Sequence, residues 1–479
     1  MVFVKEWSSG ILHHFKYYFC LILLIILLNG AVGFAQINTN MYFEKNMRDA
    51  SWLPGETETS YRMYPLYSKL DTSAKLIYGF DLTSVYQNSA LTPYQAYNDP
   101  VHYLVSPFGH LKFSNHIMMD VRGNIENKKT DLVYEQRPFW SDELAGHRGG
   151  FEVAKITYDS DNFFVKFGRD YFLQGNYFYE NLLFSRYNYP YDQLYFGFKN
   201  DYFELSSYYL ALNSLREGGS VYLRHLNGHR LSINLKIGYL AFNEVILYGG
   251  ENRQMNIVLL NPLIIYYSYQ KNNKNFESNS LVSAELYLNY HKYFIYGEFL
   301  LDDFQIDNKV PGDLEPTEWG MNVTLGKNSI INDFNGKINY TRVANRTYNA
   351  PLKDYEKYLY KNYPIGHFLG NNFWELQASL AYVPNNISSI EIQFSHIEFG
   401  KESLYGPFNT DYLNYTVEQG YSESFPFGSV DVLTGMQVSG WLSLFKNLLF
   451  KANMNYWFDN QSLEKDFTYS VGLAYRLSN

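Results

Sequence analysis

The chain has 479 residues, 46% of them hydrophobic and only 18% charged, with a net charge of −9 and one cysteine. That acidic balance argues against nucleic acid as a partner, and a single cysteine cannot build a disulfide framework. The apolar content lies mainly in aromatics (47 Tyr, 36 Phe, 7 Trp), which favour strands and membrane interfaces and leave the mean hydropathy negative at −0.31.

The first element is a basic then apolar leader. Lys5 and Lys16 precede the run YYFCLILLIILL (17–28), and Gly33 and Ala35 stand where small residues precede a cleavage site. Residues 1–35 therefore read as a secretory signal peptide, and the apolar run is short for a membrane-spanning helix. Cys20 sits inside that run, so the exported chain is expected to be cysteine-free with net charge −10. Residues 36–73 show no strand alternation and are expected to form a periplasmic or lumen-plugging segment.

From residue 74 to 479 the pattern changes to a repeated period-two alternation. In HRLSINLKIGYLAF, Leu231, Ile233, Leu235, Ile237 and Tyr239 alternate with Ser232, Asn234, Lys236 and Gly238. LVSAELYLNYHK sets Val282, Ala284, Leu286 and Leu288 against Ser283, Glu285 and Asn289. Further along, Glu375, Gln377 and Ser379 form one polar face and Glu391, Gln393 and Ser395 the next, and LLFKANMNYWFDN repeats the scheme. The final stretch DFTYSVGLAYRLSN alternates almost to its end, although terminal residues of most domains carry little pattern.

These segments run about 9–12 residues, enough to cross a bilayer at a tilt. Their aromatics gather near the ends, and long loops alternate with short turns. The reading is all-β: a transmembrane antiparallel barrel of about 18 strands (16–20) in the outer membrane, apolar outward and polar toward the lumen. Asn200-Asp201, Asn227-Gly228 and Lys446-Asn447 are read as short turns. The long loops are placed at 171–190, 250–279, 303–318, 346–372 and 401–430. Within the second, MNIVLLNPLIIYYSYQ (255–270) is too apolar for free solvent, and is expected to fold into the barrel or pack on its wall as a short helix.

No nucleophile elbow, zincin motif, P-loop or dinucleotide fingerprint is present. The chain is therefore read as a non-enzyme without cofactor or catalytic residues. His225 and His229 flank the expected Asn227-Gly228 hairpin, which would put them on opposite faces and not in a metal site. Loop 303–318, with Asp302 before it, holds Asp303, Asp307, Asp313, Glu315 and Glu318, a set that could bridge through divalent cations to lipopolysaccharide. The loops at 171–190 and 346–372 mix tyrosine faces with amides and charges, the combination that suits sugar rings.

Several blocks together resemble the capsule assembly Wzi family, in a Bacteroidetes-type variant. They are Gly168-Arg169 closing a strand, Ser185-Arg186, His229-Arg230 opening a strand, and Glu244 before Tyr248-Gly249-Gly250. Asn261-Pro262 follows, then Pro364, Gly366, His367 and Gly370 ahead of the strand led by Trp374. The resemblance covers about 160–385. It implies a barrel that binds extracellular polysaccharide and assists capsule or exopolysaccharide assembly or surface attachment. It also points to Arg169, Arg186, Arg230, Glu244 and His367 as polysaccharide-binding or lumen-network residues. The expected surroundings are extracellular polysaccharide, lipopolysaccharide and outer-membrane lipid, and the barrel assembly machinery, with the chain a monomer. The alternative is a porin or substrate-selective channel for small solutes or oligosaccharides.

Overall fold

The computed structural model describes residues 76–87, 101–126, 148–175, 181–185, 189–273, 275–303, 309–351, 353–385, 387–401, 404–445, 447–459 and 465–478. The proposed signal peptide, the segment 36–73, Arg186, Asp307 and Lys446 lie outside these residues.

The strands in chain order are β1 (Leu76–Gln87), β2 (Val101–Lys112), β3 (Ile117–Glu126), β4 (Arg148–Asp159), β5 (Phe163–Asp170), β6 (Tyr191–Lys199) and β7 (Phe203–Ala211). Next come β8 (Leu215–Glu217), β9 (Ser220–Leu235), β10 (Gly238–Glu251), β11 (Ser278–Tyr290), β12 (Tyr293–Asp303), β13 (Glu318–Ile331) and β14 (Phe334–Val343). The last are β15 (Leu359–Tyr360), β16 (Tyr363–Pro364), β17 (Phe373–Asn385), β18 (Ser388–Gly400), β19 (Val430–Phe445), β20 (Leu448–Asp459) and β21 (Lys465–Ser478). Three are loop elements: β8 extends the β7–β9 connection, and β15 pairs only with β16. The other 18 pair with their neighbours in antiparallel register, and β21 returns to β1, closing the barrel.

The alternation has the predicted polarity. On β1, Asp81 and Thr83 are buried toward the lumen while Phe80, Leu82 and Tyr86 face outward. On β21, Thr468, Ser470 and Arg476 are buried, and Phe467, Val471, Leu473, Tyr475 and Leu477 face outward. A soluble sandwich would show the reverse, because its core excludes water and a barrel's outer wall meets lipid. The seam is tied inside. Arg476 donates from Nε and Nη2 to the two Asp81 oxygens at 2.7 and 2.8 Å, and Arg122 Nη1 stands 3.0 Å from Asp81 Oδ2. Removing one partner of such a buried pair costs about 3–5 kcal/mol.

Turns and loops alternate between the two ends. At the short-turn end, Asn200 Oδ1 accepts from the amides of Tyr202 and Phe203, an Asx turn that sets the predicted hairpin. Tyr202, Tyr290 and Tyr293 ring this end, while Trp319, Tyr340, Arg342 and Trp374 face outward next to the long loops. These are the two aromatic girdles of a membrane barrel.

One predicted turn is not a turn. Asn227 and Gly228 lie inside β9, and the chain reverses instead at Lys236-Ile237, with Leu235 paired to Gly238. Gly228 is needed for close packing: a Cβ there would overlap the Tyr208 ring of β7. Asn227 accepts the Tyr248 hydroxyl hydrogen bond at 3.0 Å. Consequently His225 and His229 share one face, the outer one, and His229-Arg230 sits within a strand instead of opening it.

Candidate functional site

At the long-loop end, loops fold into the lumen along part of the wall. The β5–β6 connection turns inward, and the backbone N–H groups of Leu182 and Leu183 donate to the two oxygens of Glu298 on β12, at 2.7 and 3.1 Å. A lumen-facing carboxylate thereby satisfies two loop amides that would otherwise be buried without partners. Tyr348 and Tyr358, from the β14–β17 connection, donate their hydroxyls to the carbonyls of Leu182 and Leu183. Ser185 N donates to Ile365 O at 2.6 Å.

The β14–β17 connection is held to the wall in turn. Tyr348 N donates to Asp302 of β12, and Arg224 of β9 donates to the carbonyls of Tyr355 and Lys357 at 2.8 and 2.7 Å. Gly366 lies where a Cβ would strike Tyr348 and the Leu182 carbonyl. The result is a dry cluster in which Leu182, Phe184, Tyr208, Leu247, Tyr348, Tyr358, Ile365, Phe373 and Leu404 are all buried. Its members span the wall from β7 to β17, and Tyr171 extends the contact to Glu152 of β4 at 2.6 Å.

Above this plug lies a rim built from the connections β12–β13, β14–β17 and β18–β19. Arg346 is buried and donates to the Asn409 carbonyl at 2.7 Å and to the Glu423 carboxylate, which also accepts from Tyr421. Burial alone would lower the Arg346 guanidinium pKa, but the Glu423 contact outweighs it and holds it above its ordinary value. Glu315 is pushed up to about 7 by burial and by the charge of Asp303, and Glu356 to about 7 by burial and Glu277. Tyr405 and Tyr415 are exposed on the outer surface of this rim, 55% and 43% respectively. Exposed phenol faces beside amide and carboxylate groups can stack on and hydrogen-bond a sugar.

Part of the β10–β11 connection takes a different course. It folds over the outer wall, where the Leu260 carbonyl accepts from Ser207 on β7 at 2.9 Å. A short helix, α1 (Tyr266–Asn272), follows, with both Glu244 oxygens accepting from its first amides, Tyr266 N and Tyr267 N, at 2.9 and 2.8 Å. The flap covers His225, Asn227, His229 and Ser280, polar residues on the membrane face. His225 Nδ1 accepts from Tyr209 and its Nε2 donates to the Arg253 carbonyl. Of the two expected placements for MNIVLLNPLIIYYSYQ, packing on the wall is the one observed. Leu259 and Tyr266 are buried against Ile246 and Tyr248, while Ile257, Leu263 and Ile265 face outward.

The sequence-predicted residues thus occupy three environments. Arg230 faces the lumen in a bidentate pair with Glu285. His367 is enclosed in the plug against Phe368 and Phe373, and burial lowers it to about 3, so it stays neutral. Arg169 and Glu244 lie on the outer wall, not within the lumen or its rim. No hydrogen bond or ion pair among the described residues joins any two of these four. Within the acidic loop, Asp302 holds the plug, Asp313 accepts from Lys309 N and Val310 N, and Glu315 faces the Arg346 cluster. The lumen phase of Glu298, Asp302 and Arg224 follows from strand alternation. Their loop partners, at sequence separations of 46–133 residues, leave no local pattern.

In three-dimensional comparison the barrel is similar to Wzi of Escherichia coli, described as an outer membrane protein involved in group 1 capsule assembly and a carbohydrate binding β-barrel. The match has a TM-score of 0.57 at 12% identity and covers 90% of this chain and 91% of Wzi. OccAB4 of Acinetobacter baumannii aligns over 85% of this chain and 99% of its own at TM-score 0.48 and 10% identity. OprD of Pseudomonas aeruginosa aligns over 85% and 94% at 0.46 and 10%. No family model matches the chain, and no curated relative matches it in sequence. The fold is that of outer-membrane barrels.

Proposed function

We propose that this barrel binds extracellular polysaccharide at the rim of its plugged mouth and assists the assembly or surface attachment of capsule or exopolysaccharide. The observation that carries this reading is the plug. Loops from β5–β6, β14–β17 and β18–β19 bury an aromatic core inside the mouth, against the wall from β7 to β17. A wide solute pathway needs a hydrated, polar passage, whereas this arrangement spends its loops on building a fixed outer surface. Tyr405 and Tyr415 on that surface supply stacking faces and hydroxyls, and the Tyr415 ring lies 5.0 Å from that of Tyr421, which hydrogen-bonds Glu423. The similarity in fold to a carbohydrate binding barrel lends further support.

The deciding experiment pairs two measurements on the purified protein. Binding to isolated surface polysaccharide, by calorimetry or co-sedimentation, is expected and should fall in Tyr405→Ala/Tyr415→Ala. Planar bilayer recordings are expected to lack large steady openings. Large steady conductance without polysaccharide binding would establish the channel alternative and overturn the proposal.

A further inference from the structure

A cavity of about 580 Å³ opens on the outer wall between β4–β7 and the β10–β11 flap. Its walls are Phe151, Phe167, Leu194 and Ala211 from the strands and Met255 from the flap. All project to the membrane side: Phe151 and Phe167 lie on the outward phase of β4 and β5, and Leu194 and Ala211 on that of β6 and β7. The size falls within the roughly 300–1,000 Å³ typical of small-molecule sites.

The lining also holds two charged side chains, Arg169 and Asp192, with Arg169 the more deeply buried of the two. Arg169 is 6% exposed and faces the membrane side of the wall. Its nearest acid, Asp192, stands 3.6 Å from Nη1, beyond ordinary hydrogen-bond length, and its Nε has no hydrogen-bond partner among the described residues. A guanidinium facing lipid costs several kcal/mol in isolation. Its depth explains how that is tolerated. Arg169 is the second residue from the long-loop end of β5, as Arg342 is on β14, and Trp319 and Trp374 are second from the same end of β13 and β17. This level is the girdle, where acyl chains meet headgroups. Arg342 there is sandwiched between Trp319 and Phe425, with ring centroids at 5.0 and 3.7 Å. Arg169 has no such aromatic cover and opens on a cavity instead.

The backbone positions it there. Gly168 adopts φ +118, and a Cβ would collide with the Ala154 carbonyl, so only glycine brings β5 this close to β4 just before Arg169. Met255 completes the groove from above, and the flap carrying it is fastened by Glu244 and His225.

We infer that this groove is a binding site for an acylated, phosphate-bearing lipid of the outer leaflet, with an acyl chain along Phe151, Phe167, Leu194, Ala211 and Met255 and its phosphate on Arg169. Planar guanidinium donors suit a phosphate, and the apolar groove leads directly to them. The inference is independent of the polysaccharide reading, which concerns the rim.

The test is native mass spectrometry of the full-length, detergent-purified barrel with bisphosphorylated lipid A, with the same lipid dephosphorylated, and with inorganic phosphate. One lipid A per barrel is expected, with the dephosphorylated form and inorganic phosphate each bound weakly. Arg169→Gln should weaken lipid A binding about tenfold or more, and Arg169→Lys should retain part of it. Ala211→Trp, which fills the groove and leaves the arginine, should abolish the specific complex. Arg216→Gln, an exposed arginine in the β7–β9 connection, should change nothing. Heat-modifiable migration certifies folding, and if Arg169→Gln fails that check the Ala211→Trp result decides. Equal binding of the phosphorylated and dephosphorylated lipids, or unchanged binding in both groove variants, overturns the site. So does full competition by inorganic phosphate, which would mean simple anion binding.

Discussion

A charged side chain in this wall is placed by its strand phase and is partnered by a neighbouring strand, as Arg230 is by Glu285, or by what a loop brings to it. Glu244 illustrates the point. Its strand phase puts it on the membrane side, where a bare carboxylate would be costly, and α1 arrives with two unsatisfied amides that it caps. Glu244→Ala should cost the flap about 0.5–2 kcal/mol, the usual worth of a helix cap. The expected signal is faster deuterium uptake over 253–273 with the barrel's heat-modifiability unchanged. Glu315 gives a pH signature at the rim. Its folded pKa, about 7, lies above the ordinary 4.5, so its contribution to rim packing is fully present below about 4.5 and is lost as pH rises through 7. Uptake over 309–317 and 409–423, corrected for intrinsic exchange, should therefore increase between pH 6 and pH 8, and Glu315→Gln should flatten that increase. A wild-type profile without pH dependence would remove Glu315 from the rim's energetics.

At the scale of elements, the closing strand carries the strongest local signal and one of the heaviest structural duties. β21 pairs with β1 through Leu82↔Tyr475 and Phe80↔Leu477, both partners facing lipid, while Asp81↔Arg476 ties the lumen side. Replacing Tyr475 and Leu477 together with Asp puts two charges on the lipid face of the seam, where charged substitutions destabilise. Little heat-modifiable protein should reach the outer membrane, although export across the inner membrane continues. Normal yield of assembled barrel would contradict this account of the seam. β9 teaches the opposite lesson. Asn227-Gly228 has the composition of a type I′ turn, but Gly228 serves the Tyr208 contact and Asn227 the Tyr248 hydroxyl. A turn propensity is local, and a cross-strand packing demand can claim the same residues.

For the molecule as a whole, the wall is a ladder of 18 strands, and the plug is held to it by a shared buried cluster and by polar contacts from Glu298 to Leu182 and Leu183, Asp302 to Tyr348, and Arg224 to Tyr355 and Lys357, while the Tyr348 and Tyr358 hydroxyls tie its loops to one another. Tyr348→Ala/Tyr358→Ala removes two buried rings, each change of the type worth about 3–5 kcal/mol in a core. The loss falls on the plug, so the barrel should still assemble. Frequent conductance events should then appear in planar bilayers where the native protein shows few. Unchanged recordings would place the barrier elsewhere in the lumen.

The class of this protein is legible in its residues alone. Period-two alternation with aromatic ends is a local property of each strand, and eighteen repetitions of it, with alternating loop lengths, admit little besides a membrane barrel. The tertiary structure alone decided which way the loops fold and therefore what the charged residues do. Arg230 became a lumen pair, His367 a neutral core residue, Glu244 a cap on the outer wall and Arg169 the polar end of a lipid-facing groove. The physical reason is distance along the chain. Strand phase is written in neighbouring residues, whereas a loop's partner is chosen by burying polar groups and aromatic rings against a wall that lies from 22 to 133 residues away along the chain.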